Sequence, residues 1–551
     1  MTYVLLCLKS AIYGGDELEV GVVVWVKGLT VKFRIKKGII VERGQLLKIY
    51  SNNIKYIIRV YDFEPEILLS PMEIARISSK REKGRNIILY ENDVRLYDTA
   101  LATIVAQIDE DRIPRGPSSV PSLFSIVEPL DKDDLEQLNL DTGDLKIGNL
   151  RVGHKATSIV VSLKGNRVIP HHLLISGVTG SGKSNFGKVL AYAIMKLKNS
   201  KYSLVLFDCE SEYLLGGSSS QLGLAHAPEA EEKLFYISNL VDEISKIKFS
   251  FNYDGIEITR EIMAHPLEID MKKLHPYDFI LTGEFSAPQE EALWLAWKTF
   301  SEDWLIQLLN TPSSVIYARL KRLVHKNTIN TTKRKLKYLL GNGYIFKEDC
   351  STDLISAVLS NIKKGKVILF DIPNATEGEE KLLSVLVARR IFSAYERLKK
   401  EAPELWEELP YVLITVEEAH KYLSKNALSG ISEIRENIFS IISKRGRKYK
   451  VGAMYITQMP GELIEPVIRQ TLTKVILPLP TKPDISKIIQ YSPYLEDSEE
   501  EIKTLDKGEA IIVSPISGLK FAIPVKIFLY EELISNALKR EIRIILSQKV
   551  S

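Results

Sequence analysis

The sequence predicts an α/β fold with a parallel sheet, preceded by a small β-barrel. From about residue 145, buried strands alternate with amphipathic helices, which is typical of an α/β domain. One of these strands leads through a glycine-rich turn into a helix, at residues 172–196. Before about residue 110, short β-rich runs separated by Gly, Asp and Asn turns indicate a barrel instead.

The barrel is predicted within residues 1–112 from closely spaced runs of β-forming residues. These runs are Val20–Val26, Val31–Ile35, Leu46–Tyr50 and Ile54–Val60. Around 113–121 the chain becomes rich in Pro, Ser and Gly, which marks a boundary. We therefore expect a connector at 113–144.

The α/β domain is predicted in two parts, 145–269 and 346–530. Its candidate strands are Leu173–Ser176, Leu204–Phe207, Val367–Phe370, Val412–Val416, Ala453–Thr457 and Lys474–Leu477. Each has a polar or charged residue near its carboxyl end, and ligands bind at that edge of parallel sheets.

Between the two parts, residues 270–345 lose the strand pattern and predict a helical insertion. The insertion carries two basic clusters, Arg319–Arg322 and Lys333–Lys337. Such clusters are interpreted either as a solvated helix face or as a binding patch. Residues 531–551 are predicted to form a carboxyl-terminal extension.

Composition limits the class of protein. The 551 residues are too many for one core, and 45% hydrophobic with 26% charged residues is typical of a soluble globular chain. The net charge of +4 neither demands nor excludes a nucleic-acid partner. No apolar run approaches the ~20 residues that span a bilayer, and no signal peptide is indicated. We expect a cytoplasmic protein without a membrane partner.

The cysteines agree with that compartment. Cys7, Cys209 and Cys350 are odd in number and show no CxxC spacing. We therefore expect reduced thiols and no zinc site.

The segment 177–184 has the spacing G-x-x-x-x-G-K-[ST] of a P-loop, between a strand and a helix. Backbone N–H groups and the helix N-terminus would face phosphate oxygens, Lys183 would reach the β- and γ-phosphates, and Ser184 would bind Mg²⁺. The alternative is a chance Gly/Ser turn. We predict binding of ATP and Mg²⁺ by Thr179, Gly180, Ser181, Gly182, Lys183, Ser184 and Asn185.

Glu417 and Glu418 end the apolar strand that begins at Tyr411. In a P-loop enzyme the first carboxylate holds Mg²⁺ and the second activates the attacking water. By position, Glu417 takes the metal role and Glu418 the role of the base. The alternative is a polar strand end in which Glu pairs with His420 or Lys421.

Two further strands end in polar residues that we place in the catalytic mouth. Asp208 and Glu212 follow one strand and would line the nucleotide site, although a surface role is the alternative for either residue. Gln458 follows another strand, where an amide can bind the γ-phosphate or the attacking water.

A dense basic loop, 444–450, precedes the strand that leads to Gln458. Phosphoryl transfer needs positive charge at its transition state, and oligomeric motors often supply it from a neighbouring subunit. Arg447 and Arg445 are the candidates for this arginine finger. Contact with a DNA backbone is the alternative role of the same loop.

With these residues in order, the chain resembles the HerA/FtsK superfamily of P-loop motors, and within it the archaeal HerA family. The resemblance extends over nearly the whole chain. It is carried by the segments 147–153, 172–184, 208–213, 417–420, 445–449 with Gln458, and 505–512.

The resemblance implies a homohexameric ring of RecA-like ATPase domains that translocates on double-stranded DNA, a DNA helicase-type enzyme. It also implies an N-terminal barrel similar to the family's HAS barrel, and a NurA-type nuclease partner in DNA-end resection for recombinational repair. One departure stands out: HerA-like proteins tend to have Arg-His before the P-loop strand, where this chain has His171-His172.

Two other functions fit the residues. The first is a related hexameric pump for another polymer, either protein or single-stranded DNA. The second is a scaffold that nucleotide orders and that activates a nuclease. DNA dependence of ATP hydrolysis separates the first from a DNA motor, and the presence of Lys183 and Glu418 argues against the second.

Overall fold

Six antiparallel strands near the amino end close into a barrel. The computed structural model describes residues 19–84, 92–110, 113–217, 221–350, 352–428 and 436–550. The first strands are β1 Gly21–Lys27, β2 Thr30–Ile35, β3 Leu46–Ser51, β4 Ile54–Ile67, β5 Leu96–Ile108, β6 Pro114–Arg115 and β7 Ile126–Pro129. The sheet has the order β2-β1-β7-β3-β4-β5-β6. An additional pairing of β2 with β5 closes the first six of these strands into a ring, and β6 pairs with β5 outside it.

The barrel interior is filled by alternate side chains of its strands. Val23, Phe33 and Leu47 have no exposed surface, whereas their neighbours along each strand face outward. Two strands of the ring were not predicted: β5, which pairs with β2 and β4, and β7, which lies inside the segment expected as a connector and pairs with β1 and β3. Residues 1–18 of the predicted barrel segment, including Cys7, and Ser551 lie outside the described residues.

The remaining strands are β8 Leu145–Val152, β9 Lys155–Leu163, β10 Leu173–Ser176, β11 Tyr202–Asp208, β12 Leu234–Ser238, β13 Ser245–Tyr253, β14 Ile256–Pro266, β15 Ile269–Asp270, β16 Phe346–Lys347, β17 Val367–Asp371, β18 Tyr411–Val416, β19 Val451–Thr457, β20 Thr473–Ile476, β21 Glu509–Ser514 and β22 Leu519–Ile527. All except β15 and β16 form one 13-stranded sheet.

The 13-stranded sheet has the order β13-β14-β12-β17-β11-β18-β19-β10-β20-β21-β22-β8-β9. From β14 to β20 neighbouring strands are parallel, which confirms the predicted α/β class. The six strands predicted from sequence are consecutive in the middle of this sheet. Nearly all residues of these strands are fully buried, as expected for a sheet that helices cover on both faces.

The helices are α1 Pro71–Glu82, α2 Asn92–Arg95, α3 Lys132–Gln137, α4 Gly165–Val168, α5 Lys183–Met195, α6 Ala230–Lys233, α7 Pro276–Ile280, α8 Ala287–Phe300, α9 Trp304–Asn310, α10 Ser313–Arg319, α11 Lys326–Leu340, α12 Leu354–Lys363, α13 Glu377–Glu401, α14 Pro403–Glu408, α15 His420–Leu423, α16 Lys425–Leu428, α17 Ile438–Arg445, α18 Glu465–Gln470, α19 Lys482–Gln490, α20 Glu499–Lys503 and α21 Tyr530–Val550.

Helices α7 to α11 interrupt the sheet as one helical unit. The short parallel pair β15–β16 brings the two ends of this unit together. Its core contains Trp304, which has no exposed surface and whose indole N–H donates to the carbonyl of Leu274 at 2.9 Å. At its far end Asn342 N–H donates to Glu379 Oε1, near the start of α13. The unit is therefore tied to the edge at which the parallel strands end, the carboxyl edge.

A buried cluster of charges joins the barrel to the sheet. Arg59 of β4 and Arg151 of β8 both form ion pairs with Glu501 of α20, and all three side chains are at most 5% exposed. Arg59 also donates to Ser498 Oγ. One carboxylate thus holds guanidinium groups from two parts of the chain that are remote in sequence.

Candidate nucleotide-binding site

The P-loop lies at the carboxyl edge of the central strand β10, between β19 and β20. The loop ends at Gly182, and α5 begins at Lys183. Gly180 and Gly182 have φ angles of 77° and 114°, in the left-handed region where a side chain would be strained. The first N–H groups of α5 have no partner within the helix, so this turn presents donors to a ligand.

Lys183 folds back over this turn. Its Nζ donates to the carbonyls of Gly177 and Val178, both at 3.0 Å. Burial lowers the pKa of Lys183, and the nearby carboxylates of Glu418, Glu417 and Glu212 oppose that effect. The ammonium group is therefore placed between the loop and a set of carboxylates.

The P-loop is connected to Glu418 through one amide. Thr179 Oγ1 donates to Gln458 Oε1 at 2.6 Å, and Gln458 Nε2 donates to Glu418 Oε1 at 2.7 Å. The other carboxylate oxygen of Glu418 lies 3.3 Å from His420 Nδ1. Glu418 also has a φ of 44°, an uncommon value for a residue with a side chain, of the kind that clusters at functional sites. Gln458 and His420 thus contact this carboxylate directly, and Thr179 is connected to it through Gln458.

Glu417 lies beside Glu418 in a less polar setting. Tyr213 Oη donates to its Oε1 at 3.3 Å. Burial raises the pKa of Glu417 to about 8, with smaller contributions from the charges of Glu418 and Asp208. A cation bound next to this carboxylate would favour its charged form.

Asp208 is used differently from the prediction. Its two carboxylate oxygens accept the N–H groups of Glu212 at 3.1 Å and Tyr213 at 2.8 Å, and the side chain is 3% exposed. Burial raises the pKa of Asp208 to about 6, and the charge of Asp371 adds to the effect. Asp208 therefore shapes the turn that places Tyr213 against Glu417. Of the two predicted carboxylates, Asp208 and Glu212, it is Glu212 whose charge raises the pKa of Lys183.

Asn185, predicted as a nucleotide ligand, binds the backbone of the chain's own carboxyl-terminal region. Its Nδ2 donates to the carbonyl of Phe528 at 2.8 Å, and its Oδ1 accepts the N–H of Tyr530 at 2.9 Å. Both functions of the amide are thus engaged in holding the start of α21 against α5. Ser184, one residue before it, is only half-buried.

A loop that the sequence did not assign to the site lies against the P-loop. Gly508 N–H donates to the carbonyl of Ser181 at 3.1 Å, and a Cβ on Gly182 would lie 3.7 Å from Gly508. The sequence signal for this loop is the segment 505–512, one of those that carry the family resemblance. Tyr213 lies in the segment 208–213 of the same resemblance, and a tyrosine five residues after a strand-end Asp can reach a neighbouring strand end.

Arg445 and Arg447 lie at the opposite edge of the sheet, before β19 starts, whereas Gln458 follows its end. The length of β19 separates the two edges by about 20 Å. Arg445 is paired with Glu396 at 2.7 Å and lies near the rings of Phe392 and Tyr449. Within the described chain, Arg447 is exposed and forms no ion pair.

The residues at the carboxyl edge fit a nucleotide with a divalent cation. The P-loop offers backbone donors, an ammonium and the Ser184 hydroxyl, and no heavy atom lies within 4 Å of a Cβ built on Gly180, so that side of the turn is open. Facing them, Glu417 supplies a carboxylate of the type that Mg²⁺ prefers. Because Arg447 is remote from its own P-loop, a single chain supplies no arginine to this site from the basic loop.

Residues 145–391 match the family model described as "Helicase HerA, central domain". The chain is 24% identical over 427 residues to the DNA double-strand break repair helicase HerA of Pyrococcus furiosus, covering 74% of this chain and 73% of the relative. It is 25% identical over 450 residues to the protein of the same name from Saccharolobus solfataricus, covering 80% and 79%. Glu417, Glu418 and Gln458 lie outside the span of the family model.

Among solved structures, the plasmid coupling protein TrwB is similar at 13% identity with a TM-score of 0.45, covering 67% of this chain and 88% of TrwB. A likeness this distant says nothing about function. In the described part of the chain, no helix combines the length and apolar character needed to cross a membrane.

Proposed function

We propose that this chain is an ATP-driven motor of the HerA family that translocates on double-stranded DNA, supported by the family match over residues 145–391. The observation that carries the proposal is the chain of hydrogen bonds from Thr179 through Gln458 to Glu418. It connects the phosphate-binding turn to the carboxylate expected to act on water. A site that only bound nucleotide would have no need of this link.

Phosphate binding is assigned to the P-loop. The backbone N–H groups of residues 180–184 and the ammonium of Lys183 hold the phosphate oxygens. Ser184 and Glu417 would hold Mg²⁺, which when bound neutralises charge on the phosphates. Lys183 exchanges its present carbonyl partners for phosphate, since both are neutral acceptors and phosphate is charged.

Hydrolysis is assigned to Glu418. Its carboxylate orients and polarises the attacking water, and Gln458 holds it in position. Because Gln458 also contacts Thr179, a change in the P-loop on loss of the γ-phosphate reaches β19 through one side chain.

The transition-state cation is assigned to a second copy of the chain. Arg447 cannot reach its own P-loop, and its position on the opposite edge suits a head-to-tail ring in which that edge faces the next copy's nucleotide. We prefer Arg447 to Arg445 because Glu396 already holds Arg445. A homohexamer is the ring that the family resemblance implies.

The biological setting is part of the same proposal. The two relatives described above are named as DNA double-strand break repair helicases. These names support a role in DNA double-strand break repair. DNA-end resection, with a NurA-type nuclease performing the cleavage, is the finer role that the family resemblance implies.

The test is ATP hydrolysis by the purified protein with and without linear duplex DNA. We expect stimulation by duplex, and a loss of at least ~100-fold in kcat for Lys183→Ala and for Glu418→Gln. Glu408→Gln is the matched control, because Glu408 is exposed just before the other end of the same strand, β18.

Two results would contradict the proposal. Hydrolysis indifferent to DNA would favour a pump for another polymer. A fully active Glu418→Gln variant would remove Glu418 from the role of the base.

A further inference from the structure

The two halves of the helical unit differ sharply in charge. Residues 270–310 contain seven Asp/Glu and three Lys/Arg, whereas residues 311–340 contain eight Lys/Arg and no Asp/Glu. The whole chain is nearly balanced, with 74 basic and 70 acidic residues. A 30-residue stretch without one carboxylate is therefore a local feature and not a reflection of composition.

The fold presents most of these cations to solvent. Six of the eight side chains are exposed, and within the described residues none of the six lies within ion-pair distance of a carboxylate. We call this set the cationic face: Arg319, Lys321, Arg322, Lys326, Arg334 and Lys337. Lys333 and Lys335 instead turn inward and donate to the carbonyls of Thr311 and Glu284.

Two features of the cationic face oppose stability. Lys321 and Arg322 have φ angles of 54° and 63°, where glycine would be unstrained. Arg334 and Lys337 are three residues apart on α11, so that like charges are neighbours. The backbone of Lys321 and Arg322 caps α10, since Arg322 N–H donates to the carbonyl of Tyr317 at 2.9 Å. The concentration of like charge does not help the helical unit to fold, and it is explained if the cations have a polyanionic ligand.

The shape of the face suits an extended polyanion. On α11 the apolar residues Ile329, Leu336 and Leu339 are buried, so the cations lie along the opposite side. The helix is about 22 Å long, which matches roughly six base pairs of duplex. Evenly charged phosphates along such a length complement separate cations better than a compact acidic group does.

We propose that the cationic face binds the phosphate backbone of double-stranded DNA and guides it on the carboxyl-edge side of the molecule. This proposal rests on the proposed DNA-motor function and adds the surface that contacts the duplex outside the ATPase site. Because the contacts are to phosphate, binding is independent of sequence and weakens as salt is raised.

The test is a titration of a short fluorescein-labelled duplex with full-length protein at several NaCl concentrations, followed by anisotropy. The triple variant K321Q/R322Q/K326Q is compared with K198Q/K246Q/K520Q, which removes three exposed lysines elsewhere on the surface. We expect the first variant alone to lose at least ~10-fold in affinity, with a salt dependence shallower by about two to three logarithmic units per decade. R334Q/K337Q should give a smaller loss of the same kind.

A second readout separates this surface from the ATPase site. The first triple variant should need more duplex for half-maximal stimulation of ATP hydrolysis, but reach the wild-type maximum. Equal duplex affinity and salt dependence in both triple variants would overturn the proposal that the cationic face binds DNA, while leaving the motor proposal intact. The same titration is repeated with the labelled single strand, and a loss of affinity confined to that strand would overturn the assignment to duplex. Wild-type protein that neither binds duplex nor is stimulated by it would overturn both proposals.

Discussion

At the scale of single residues, His172 shows how the P-loop strand is anchored. Its ring is 2% exposed, with Nδ1 accepting the N–H of Ala453 at 3.1 Å and Nε2 lying 3.2 Å from the carbonyl of Ser443. The carbonyl can only accept, so Nε2 carries the proton and the ring is neutral. The backbone here has a φ of 65° and a ψ of 154°, which a side chain rarely adopts. The two hydrogen bonds therefore hold a strained entry into β10.

The pH dependence of stability follows from that ring. Burial lowers the pKa of His172 to about 4, from an ordinary value of 6.5. The pKa of His172 is lower in the folded protein than in the unfolded chain. The contribution of the neutral ring to the free energy of unfolding is therefore complete above pH 6.5 and is lost as the pH falls toward 4. At pH 5 the wild type should lose about 2 kcal/mol of unfolding free energy from this group.

Urea unfolding of wild type and His172→Gln at pH 7.5 and pH 5 isolates the effect. The variant should be less stable at pH 7.5. The difference in unfolding free energy between wild type and variant should narrow by about 2 kcal/mol at pH 5, since glutamine does not titrate. An unchanged gap would mean that His172 is not the titrating group.

At the scale of secondary-structure elements, the Glu501 cluster connects the barrel to the ATPase site. Glu501 lies in α20, and the chain continues from α20 into the loop whose Gly508 binds the P-loop carbonyl of Ser181. Arg59 on the barrel and Arg151 on β8 reach the same carboxylate. The barrel is therefore coupled to the phosphate-binding turn through a few residues.

Removing the charge of Glu501 tests this connection. Glu501→Gln leaves two buried guanidinium groups without a counter-charge, so we expect a loss of about 3 kcal/mol in unfolding free energy. Glu500→Gln is the control, because Glu500 is exposed and its pair with Lys503 contributes less than about 1 kcal/mol. The measurement is urea unfolding, with limited proteolysis to detect release of the barrel. Equal stability of the two variants would show that the cluster is not needed to hold the barrel.

At the scale of the whole molecule, the placement of Arg447 predicts complementation between inactive subunits. In a mixed ring, an Arg447→Ala subunit can supply the P-loop while a Lys183→Ala neighbour supplies the arginine. Co-expression of the two variants should restore hydrolysis at about one interface in four. ATPase activity of doubly tagged, co-purified complexes is the measurement.

The control is co-expression of Lys183→Ala with the Lys183→Ala/Arg447→Ala double variant, which forms no complete interface. If both mixtures stay inactive although subunits mix, Arg447 does not act across the interface.

Much of the fold was predictable because its central elements have local signals. Leu173–Ser176 was placed with the observed bounds, since four buried apolar residues before a glycine turn admit little else. Strands β5, β8, β9, β12 to β14, β21 and β22 were not predicted, and neither was β7 in the expected connector. Whether a short segment such as β7 becomes a strand depends on partners far along the chain, here β1 and β3.

The candidate site, like the fold, was predictable only where its residues are adjacent in the sequence. The P-loop is contiguous, so its glycines and Lys183 could be identified from spacing alone. Asp208 and Asn185 were assigned to nucleotide because of their positions in the chain. Their side chains are in fact committed to backbone groups of Tyr213 and Tyr530, which only the packing of neighbouring segments reveals.

What the sequence by itself determined is the α/β class, the barrel, the P-loop and the acidic strand end, because each depends on residues that are adjacent or periodic along the chain. The tertiary structure alone decided that Gln458 links Thr179 to Glu418, that Arg447 lies at the far edge of the sheet, and that the cations of residues 311–340 form one exposed face. The physical reason is that strand order and helix packing set which side chains meet. These are long-range interactions, and local spacing carries little information about them.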